Sequence, residues 1–254
     1  MPPCSDPSRI RAVLNRDRAW ALYLLGDLEP QLFARGSWWC DDDAVTLLYR
    51  GFDPPILCAF GSGGSVRPLF DEMPRPARVY LHVQTEIAGL VGERYAVPEP
   101  RHMIRMALAG ADYRPVPAGG AYRLAPGDAA ALVALYRDGE ALGEAPGFFT
   151  PEMLDGGVYC GVRQHGELIA VAGTHIVSYG ESVAAIGNVY THRQHRGRGL
   201  GALTTSAVAS ALLGAGIRTV ALSVNQRNQA AISVYRRLGF REHCGFVEGV
   251  ATLG

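Results

Sequence analysis

Apolar positions along the chain fall into two rhythms that alternate almost throughout. Compact apolar runs at Val45 to Tyr49, Ile56 to Phe60 and Val79 to Val83 predict strands, with a further strand near Met103 to Ala109. Apolar residues recurring at helical spacing predict helices through Ala19 to Leu28, at Val66 to Phe70 and near Glu86 to Glu93. The segment Tyr113 to Ala121 interrupts this rhythm with the Pro and Gly density of an inter-domain loop. It divides the chain into a smaller α/β domain at 1–117 and a second domain at 118–254.

Beyond the loop, Tyr122 to Leu124 reads as a short strand, and Pro126-Gly127-Asp128 leads into a helix whose Leu132, Leu135 and Tyr136 share a face. A looser stretch, Asp138 to Thr150, precedes a second helix opening at Pro151 to Leu154. Val158 to Val162, Leu168 to Val177 and Val183 to Tyr190 predict consecutive antiparallel strands, turned at Gln164 to Gly166 and at Tyr179 to Gly180. A Gly-rich loop then opens a helix over Leu200 to Leu213, which offers Leu203, Ala207 and Leu212 for burial. Ile217 to Val224 predicts a strand, Ala230 to Leu238 a helix closed by Gly239, and Phe240 onward a final strand or hairpin.

Composition narrows the class. With 48% hydrophobic and 19% charged residues, the chain has the mixture of a soluble globular protein. The opening Met1-Pro2-Pro3-Cys4-Ser5-Asp6 lacks a basic segment followed by an apolar run, and no apolar stretch approaches bilayer length. The expectation is a cytoplasmic protein without a membrane partner. Cys4, Cys40, Cys58, Cys160 and Cys244 are odd in number, scattered and never spaced C-x-x-C, which argues against a disulfide framework or a zinc site. Reduced, mainly buried thiols and no metal are expected. A formal charge of zero gives no reason to expect a nucleic-acid partner. The distribution of charge says more: all 24 basic residues are Arg, and the stretch Ser182 to Arg241 carries eight of them with no Asp or Glu.

Within that cationic stretch lies Gln194-His195-Arg196-Gly197-Arg198-Gly199-Leu200-Gly201, between an apolar strand and an apolar helix. Unspent backbone N–H groups at a helix start, with the helix dipole behind them, stabilise phosphate oxygens, and glycines allow close approach. Arg196 and Arg198 add charged donors unless their side chains point to solvent. A nucleotide-triphosphate loop is excluded, because it needs a Lys and the chain has none. A dinucleotide fingerprint needs its first Gly at a strand end and an acid ~20 residues later, and neither condition holds. The pyrophosphate of coenzyme A remains.

The pattern Gln194-x-x-Gly197-x-Gly199 resembles the signature of the GNAT superfamily of acyl-CoA-dependent N-acetyltransferases. A second segment, Asn225-Gln-Arg-Asn228-Gln-Ala-Ala231-Ile-Ser-Val-Tyr235-Arg-Arg-Leu-Gly-Phe240, resembles that superfamily's fifth strand and following helix. Asn228 and Tyr235 lie seven residues apart, which in a helix places them on one face. The resemblance covers roughly Tyr122 to the end, and the first half resembles weakly the degenerate leading domain of two-domain members. It implies a mixed, splayed sheet flanked by helices in the second domain. It also implies that the backbone of Asn188, Val189, Tyr190 and Thr191 pairs with the pantetheine arm of acetyl-CoA. Gln194 and the amides of Arg196, Gly197, Arg198, Gly199, Leu200 and Gly201 would then take the pyrophosphate. Asn228 would hold a pantetheine amide, with Asn225 beside it or simply capping the helix, and Tyr235 would protonate the departing thiolate. A neutral amine would attack the thioester directly in a ternary complex, with no enzyme nucleophile.

The general base departs from the superfamily pattern. Val183 to Gly187, where many members carry a Glu, has no titratable side chain. His175, His192 or a water chain remain open for the role. The acceptor would be a small-molecule or peptide amine, and Asp138, Glu140, Glu144 and Glu152 would favour a cationic one unless they form a solvated loop. A non-catalytic acyl-CoA-binding sensor is the rival reading, and Gly61-Ser-Gly-Gly64 is expected to be a plain loop.

Overall fold

A computed structural model describes residues 3–117, 119–140 and 143–254. Met1 and Pro2, residue 118 at the expected domain start, and residues 141 and 142 of the expected loop lie outside the described residues. The first part of the chain forms α1 (Pro7–Leu14), α2 (Leu22–Gly26), α3 (Pro30–Phe33), β1 (Gly36–Cys40), β2 (Val45–Tyr49) and β3 (Ile56–Phe60). Then come α4 (Gly63–Glu72), β4 (Arg78–Gln84), α5 (Thr85–Gly92), β5 (Tyr95–Ala96) and β6 (Arg101–Leu108). The remainder forms β7 (Ala121–Arg123), α6 (Ala129–Glu140), α7 (Met153–Gly156), β8 (Cys160–Gln164), β9 (Glu167–Ser178) and β10 (Val183–Thr191). Last are α8 (Leu200–Gly214), β11 (Thr219–Asn225), α9 (Gln229–Arg237) and β12 (Arg241–Leu253).

The chain divides into two compact units that are not contiguous in sequence. The first comprises Met1–Arg105, Val224–Asn228 and Glu242–Gly254, and the second Met106–Ser223 and Gln229–Arg241. In the first unit the strand order is β1-β2-β3-β4-β12, with β3 and β4 parallel, the other neighbours antiparallel, and β5 also paired to β12. β2 is buried at every position, so its run Val45-Thr-Leu-Leu-Tyr49 shows no polar alternation. Val66, Leu69 and Phe70 of α4 and Ile87 of α5 complete the core against Leu48, Leu57 and Leu81.

In the second unit β7, β8, β9 and β10 are antiparallel neighbours, and β11 runs parallel to β10. β10 and β11 pair only from Val183↔Thr219 to Ile186↔Leu222. Gly187 to Thr191 therefore continue without β11 on that side, which is the splay expected of the mixed sheet. On the other side, β10 keeps its pairing with β9 through an irregularity between Gly187 and Tyr190. Asn188 sits inside it at φ 52, the extra residue of a bulge that bends the strand. The expected helix face of Leu132, Leu135 and Tyr136 is buried, and it packs on Tyr159, Val171 and Tyr190.

Several expectations are corrected. Ala19 to Leu28 is not one helix: Asp17 accepts from the Trp20 N–H at 3.0 Å and the regular turn is confined to Leu22–Gly26. α1 and β1 have no counterpart in the pattern analysis, although Asp6 caps α1 by accepting from the Ser8 N–H at 2.9 Å and Pro7 opens it. In α8, Leu212 is buried but Leu203 and Ala207 are only half-buried, while Thr204, Thr205, Ser206, Val208 and Ala209 face inward. The helix is apolar or small on nearly every side, so periodicity cannot choose its face. Two of its inward hydroxyls find partners: Thr204 Oγ1 donates to the Leu200 carbonyl at 3.1 Å, and Ser206 Oγ accepts from the Val116 N–H at 2.9 Å, whereas the buried Thr205 Oγ1 meets none among the described residues.

Candidate functional site

The Gly-rich loop is held at its entrance by Asp138 at the end of α6. Asp138 accepts from the Arg193 N–H at 3.0 Å and the Tyr190 hydroxyl at 2.9 Å, and it meets the Arg193 guanidinium at 3.0 Å and His192 Nε2 at 3.4 Å. The Arg193 N–H and the Tyr190 hydroxyl, with His192 and the Arg193 guanidinium alongside, hold its carboxyl below the usual range. His192 Nδ1 in turn accepts from the Gln194 N–H at 3.3 Å and caps the turn at Arg193–His195. Gly197 and Gly199 then adopt left-handed φ of 75 and 76, and a Cβ on either would stand in open space. Their conformation, not crowding, demands glycine. α8 begins directly after Gly199 with no side-chain cap. The backbone N–H groups from Gly197 to Ala202 meet no acceptor among the described residues.

The two arginines of the loop do not point into that cradle. Arg196 bonds Glu144 at 2.6 Å and the Thr191 carbonyl at 3.2 Å, and lies over the Tyr190 ring at 5.6 Å. Arg198 bonds Gln164 Oε1 at 3.2 Å and His195 Nδ1 at 2.9 Å. Each guanidinium thus braces the loop from outside. The Arg196 N–H is also spent, on the Arg193 carbonyl at 3.4 Å, so the unspent donors begin at Gly197.

Beside the loop, β10 carries a buried polar chain. Tyr159 donates its hydroxyl to the Thr174 carbonyl at 3.1 Å and accepts from Asn188 Nδ2 at 2.7 Å. Asn188 Oδ1 faces His175 Nε2 at 3.1 Å, and Tyr136 donates to the Asn188 carbonyl at 2.8 Å. With the Asn188 amide turned this way, His175 Nε2 is the donor, and Nδ1 is the proton acceptor of the neutral ring. A Cβ on Gly187 would run into the His175 imidazole, and Gly187 is the first residue past the last β10–β11 pair. The ring therefore lies over the opening of the splay. Val189 and Thr191, the other expected backbone partners, are half-buried on the same stretch.

Tyr235 is buried on α9, edge-on to Phe240 at 6.1 Å, and burial pushes its phenol up to about 12. Asn225 Oδ1 accepts from the Arg227 N–H at 2.9 Å, and the Asn228 N–H donates to the Asn225 carbonyl at 2.8 Å, closing a turn. α9 starts at Gln229, so Asn228 precedes the helix and the expected one-face relation to Tyr235 does not apply. Asn225 and Asn228 belong to the first unit.

Of the acids expected to draw a cationic acceptor, Asp138 is spent on the loop entrance and Glu144 on Arg196, whose guanidinium holds its carboxyl down. His192 is likewise engaged. Sequence reasoning missed Asp138 as an anchor and Tyr159 and Gly187 as partners of the β10 chain. The one available signal was Gly187, a glycine inside an otherwise apolar strand. Among the described residues no group of three or more His, Cys, Asp or Glu could hold a metal ion, and no helix is long and apolar enough to cross a membrane.

No curated protein sequence is similar to the chain. Solved structures share its fold. A GNAT-family acetyltransferase from Novosphingobium aromaticivorans superposes with a TM-score of 0.63 at 21% identity, covering 98% of this chain and 100% of its own. A GCN5-related N-acetyltransferase from Kribbella flavida gives 0.62 at 20%, covering 92% and 96%. A tandem GNAT protein from the clavulanic acid biosynthesis pathway gives 0.56 at 17%, covering 100% and 98%. Residues 131–240, from α6 through α9, match the acetyltransferase (GNAT) family. Over that segment, with its splayed sheet and glycine-opened helix, the chain carries a GNAT-family acetyltransferase domain.

Proposed function

We propose that the chain is an acetyl-CoA-dependent N-acetyltransferase acting on a small-molecule or peptide amine. The observation that carries this reading is the run of unspent N–H groups from Gly197 to Ala202, among left-handed glycines at the positive end of α8. That cradle fits a pyrophosphate. The edge of β10 from Gly187 to Thr191, left by β11, fits the strand-like pantetheine arm. The coenzyme supplies an activated acetyl group, and this chain's residues bind it, orient it and move protons.

Tyr235 is the proton donor to the sulfur. Its phenol, pushed up to about 12, stays protonated at working pH, whereas a free thiol ionises near ~8.5. It therefore acts first as a hydrogen-bond donor to the thiolate, and full transfer needs help from the site. His175 is the base for the amine. Asn188 and Tyr159 fix its tautomer, and Gly187 makes room for its ring over the splay.

The test is thiol release from acetyl-CoA with a panel of polyamines, amino acids, aminoglycosides and peptide amines. Turnover on at least one amine is expected. Binding without turnover on any would leave an acyl-CoA-binding module, and absence of binding would remove the reading altogether. Tyr235→Phe should lower kcat by about 10²–10⁴-fold with coenzyme affinity unchanged. His175→Gln should flatten the acid limb of the kcat/KM profile. An unaltered limb would assign the proton to water.

A further inference from the structure

Two cysteines remote in sequence meet in the first unit. Cys40 closes β1, and Cys4 lies in the segment before α1, where its N–H donates to the Trp38 carbonyl at 2.6 Å. That backbone bond seats Cys4 alongside the strand, and the two sulfurs stand 2.9 Å apart. A disulfide bond length is about 2.05 Å, so the pair needs only a small approach to bond. The scatter of the cysteines along the chain hides this meeting, because it depends on the docking of α1 and its leading segment. Ile10, Val13 and Leu14 bury that helix.

The pair is asymmetric in the way a stepwise exchange requires. Cys4 is half-exposed and Cys40 is buried. Burial, reinforced by the Cys4 contact, pushes the Cys40 thiol up to about 12, against the pull of Arg9. The Arg9 guanidinium acts on both sulfurs, and Asp41 is the acid that opposes it at Cys40.

We propose that Cys4 and Cys40 form a modification site, a disulfide made by exchange with a low-molecular-weight disulfide such as oxidised glutathione. Cys4 thiolate attacks one sulfur of the small disulfide, an S–S bond forms to Cys4, and the other half leaves as thiolate and takes a proton from water. Cys40 then loses its proton to solvent and attacks Cys4 Sγ. The Cys4–Cys40 bond forms, and the second small thiol is expelled and protonated. Two protein thiols are oxidised and one small disulfide is reduced to two thiols. The bond closes a loop that contains α1, α2 and α3, and so restricts the unfolded chain. The inference is independent of the acetyltransferase reading, since none of its groups belongs to the second unit.

The experiment treats the full-length protein with oxidised glutathione or with dithiothreitol and digests it under non-reducing conditions for mass spectrometry. A linked peptide carrying Cys4 and Cys40 is expected after oxidation, together with a rise in Tm of about 5 °C or more. Cys40→Ser should stop at a glutathione adduct on Cys4 with no such rise, and Cys58→Ser should form the same link as wild type. Should Cys40→Ser fail to fold, Cys4→Ser makes the same test by losing both link and shift. A wild-type protein that keeps glutathione on Cys4, bridges to a different cysteine, or takes up nothing overturns the proposal.

Discussion

Where β3 passes into α4 the chain runs Gly61-Ser62-Gly63-Gly64, and where β10 passes into α8 it runs Gly197-Arg198-Gly199-Leu200-Gly201; the two junctions dispose of their backbone donors in opposite ways. In the first, Ser62 Oγ accepts from the Ser65 N–H at 3.3 Å and the Ser62 carbonyl from the Val66 N–H at 2.9 Å. Gly61 is required by crowding as well as by its φ of 122, since a Cβ there would meet Ala44 and the Asp43 carbonyl at 2.9 Å. In the second, no side chain caps the helix and open space surrounds Gly197 and Gly199. Glycine content alone therefore does not mark an anion site. What marks it is whether the amides that glycine exposes are already spent, and whether anything fills the space before them.

The largest break in this contrast should come from Gly199→Asp. A like charge about 4 Å from a pyrophosphate costs about 4 kcal/mol at an effective dielectric near 20, on the order of 10³-fold in Kd. Calorimetry with acetyl-CoA measures it, and unchanged affinity in a folded variant would falsify the assignment of the loop. The converse change, Ser62→Ala, removes a cap in the first unit and should cost about 1 kcal/mol of stability in denaturant titration. Coenzyme affinity should stay at the wild-type value; a drop would mean the first loop also serves the ligand.

The smallest effect is expected at Asp138→Asn, which loosens the entrance of the second loop. Asp138 has its carboxyl held below the usual range in the fold. Its ionised form therefore stabilises the protein at and above neutral pH, and that contribution fades as pH falls through the lowered folded value. The Tm gap between wild type and Asp138→Asn should be widest at neutral pH and close in acid. A gap that stays constant with pH would show that Asp138 acts by packing.

Strands β2 and β3 were legible to the residue because each is a compact run of apolar residues, broken only by the β-branched Thr46, between turn-forming neighbours. α1 and β1 were not, since three inward residues on α1 and a Trp pair on β1 give too short a period. The Gly-rich loop was legible because positive φ imposes glycine on the sequence itself. The roles of Arg196, Arg198, Asp138 and Asn188 were not, because each is defined by a partner brought in from another element: Glu144, Gln164, Arg193 and His175. Spacing along a helix misled once, at Asn228, where the start of α9 one residue later removes the premise. The division of the chain illustrates the same limit. A linker is visible as composition, whereas the return of β12 to the first unit is a matter of pairing.

That return has a consequence for how the protein comes into being. Beyond its pairing with β3, β4 gains its second neighbour only when Phe246 to Thr252 align with Gln84 to Arg78, across most of the length of the chain. During synthesis the first unit must therefore wait, with the β12-facing edge of β4 open, until nearly the whole second unit has emerged. Pairings so distant in sequence are slow to close. Emergence of Phe246 to Thr252 from the ribosome, more than completion of either core, is then the event that commits the molecule to its native topology.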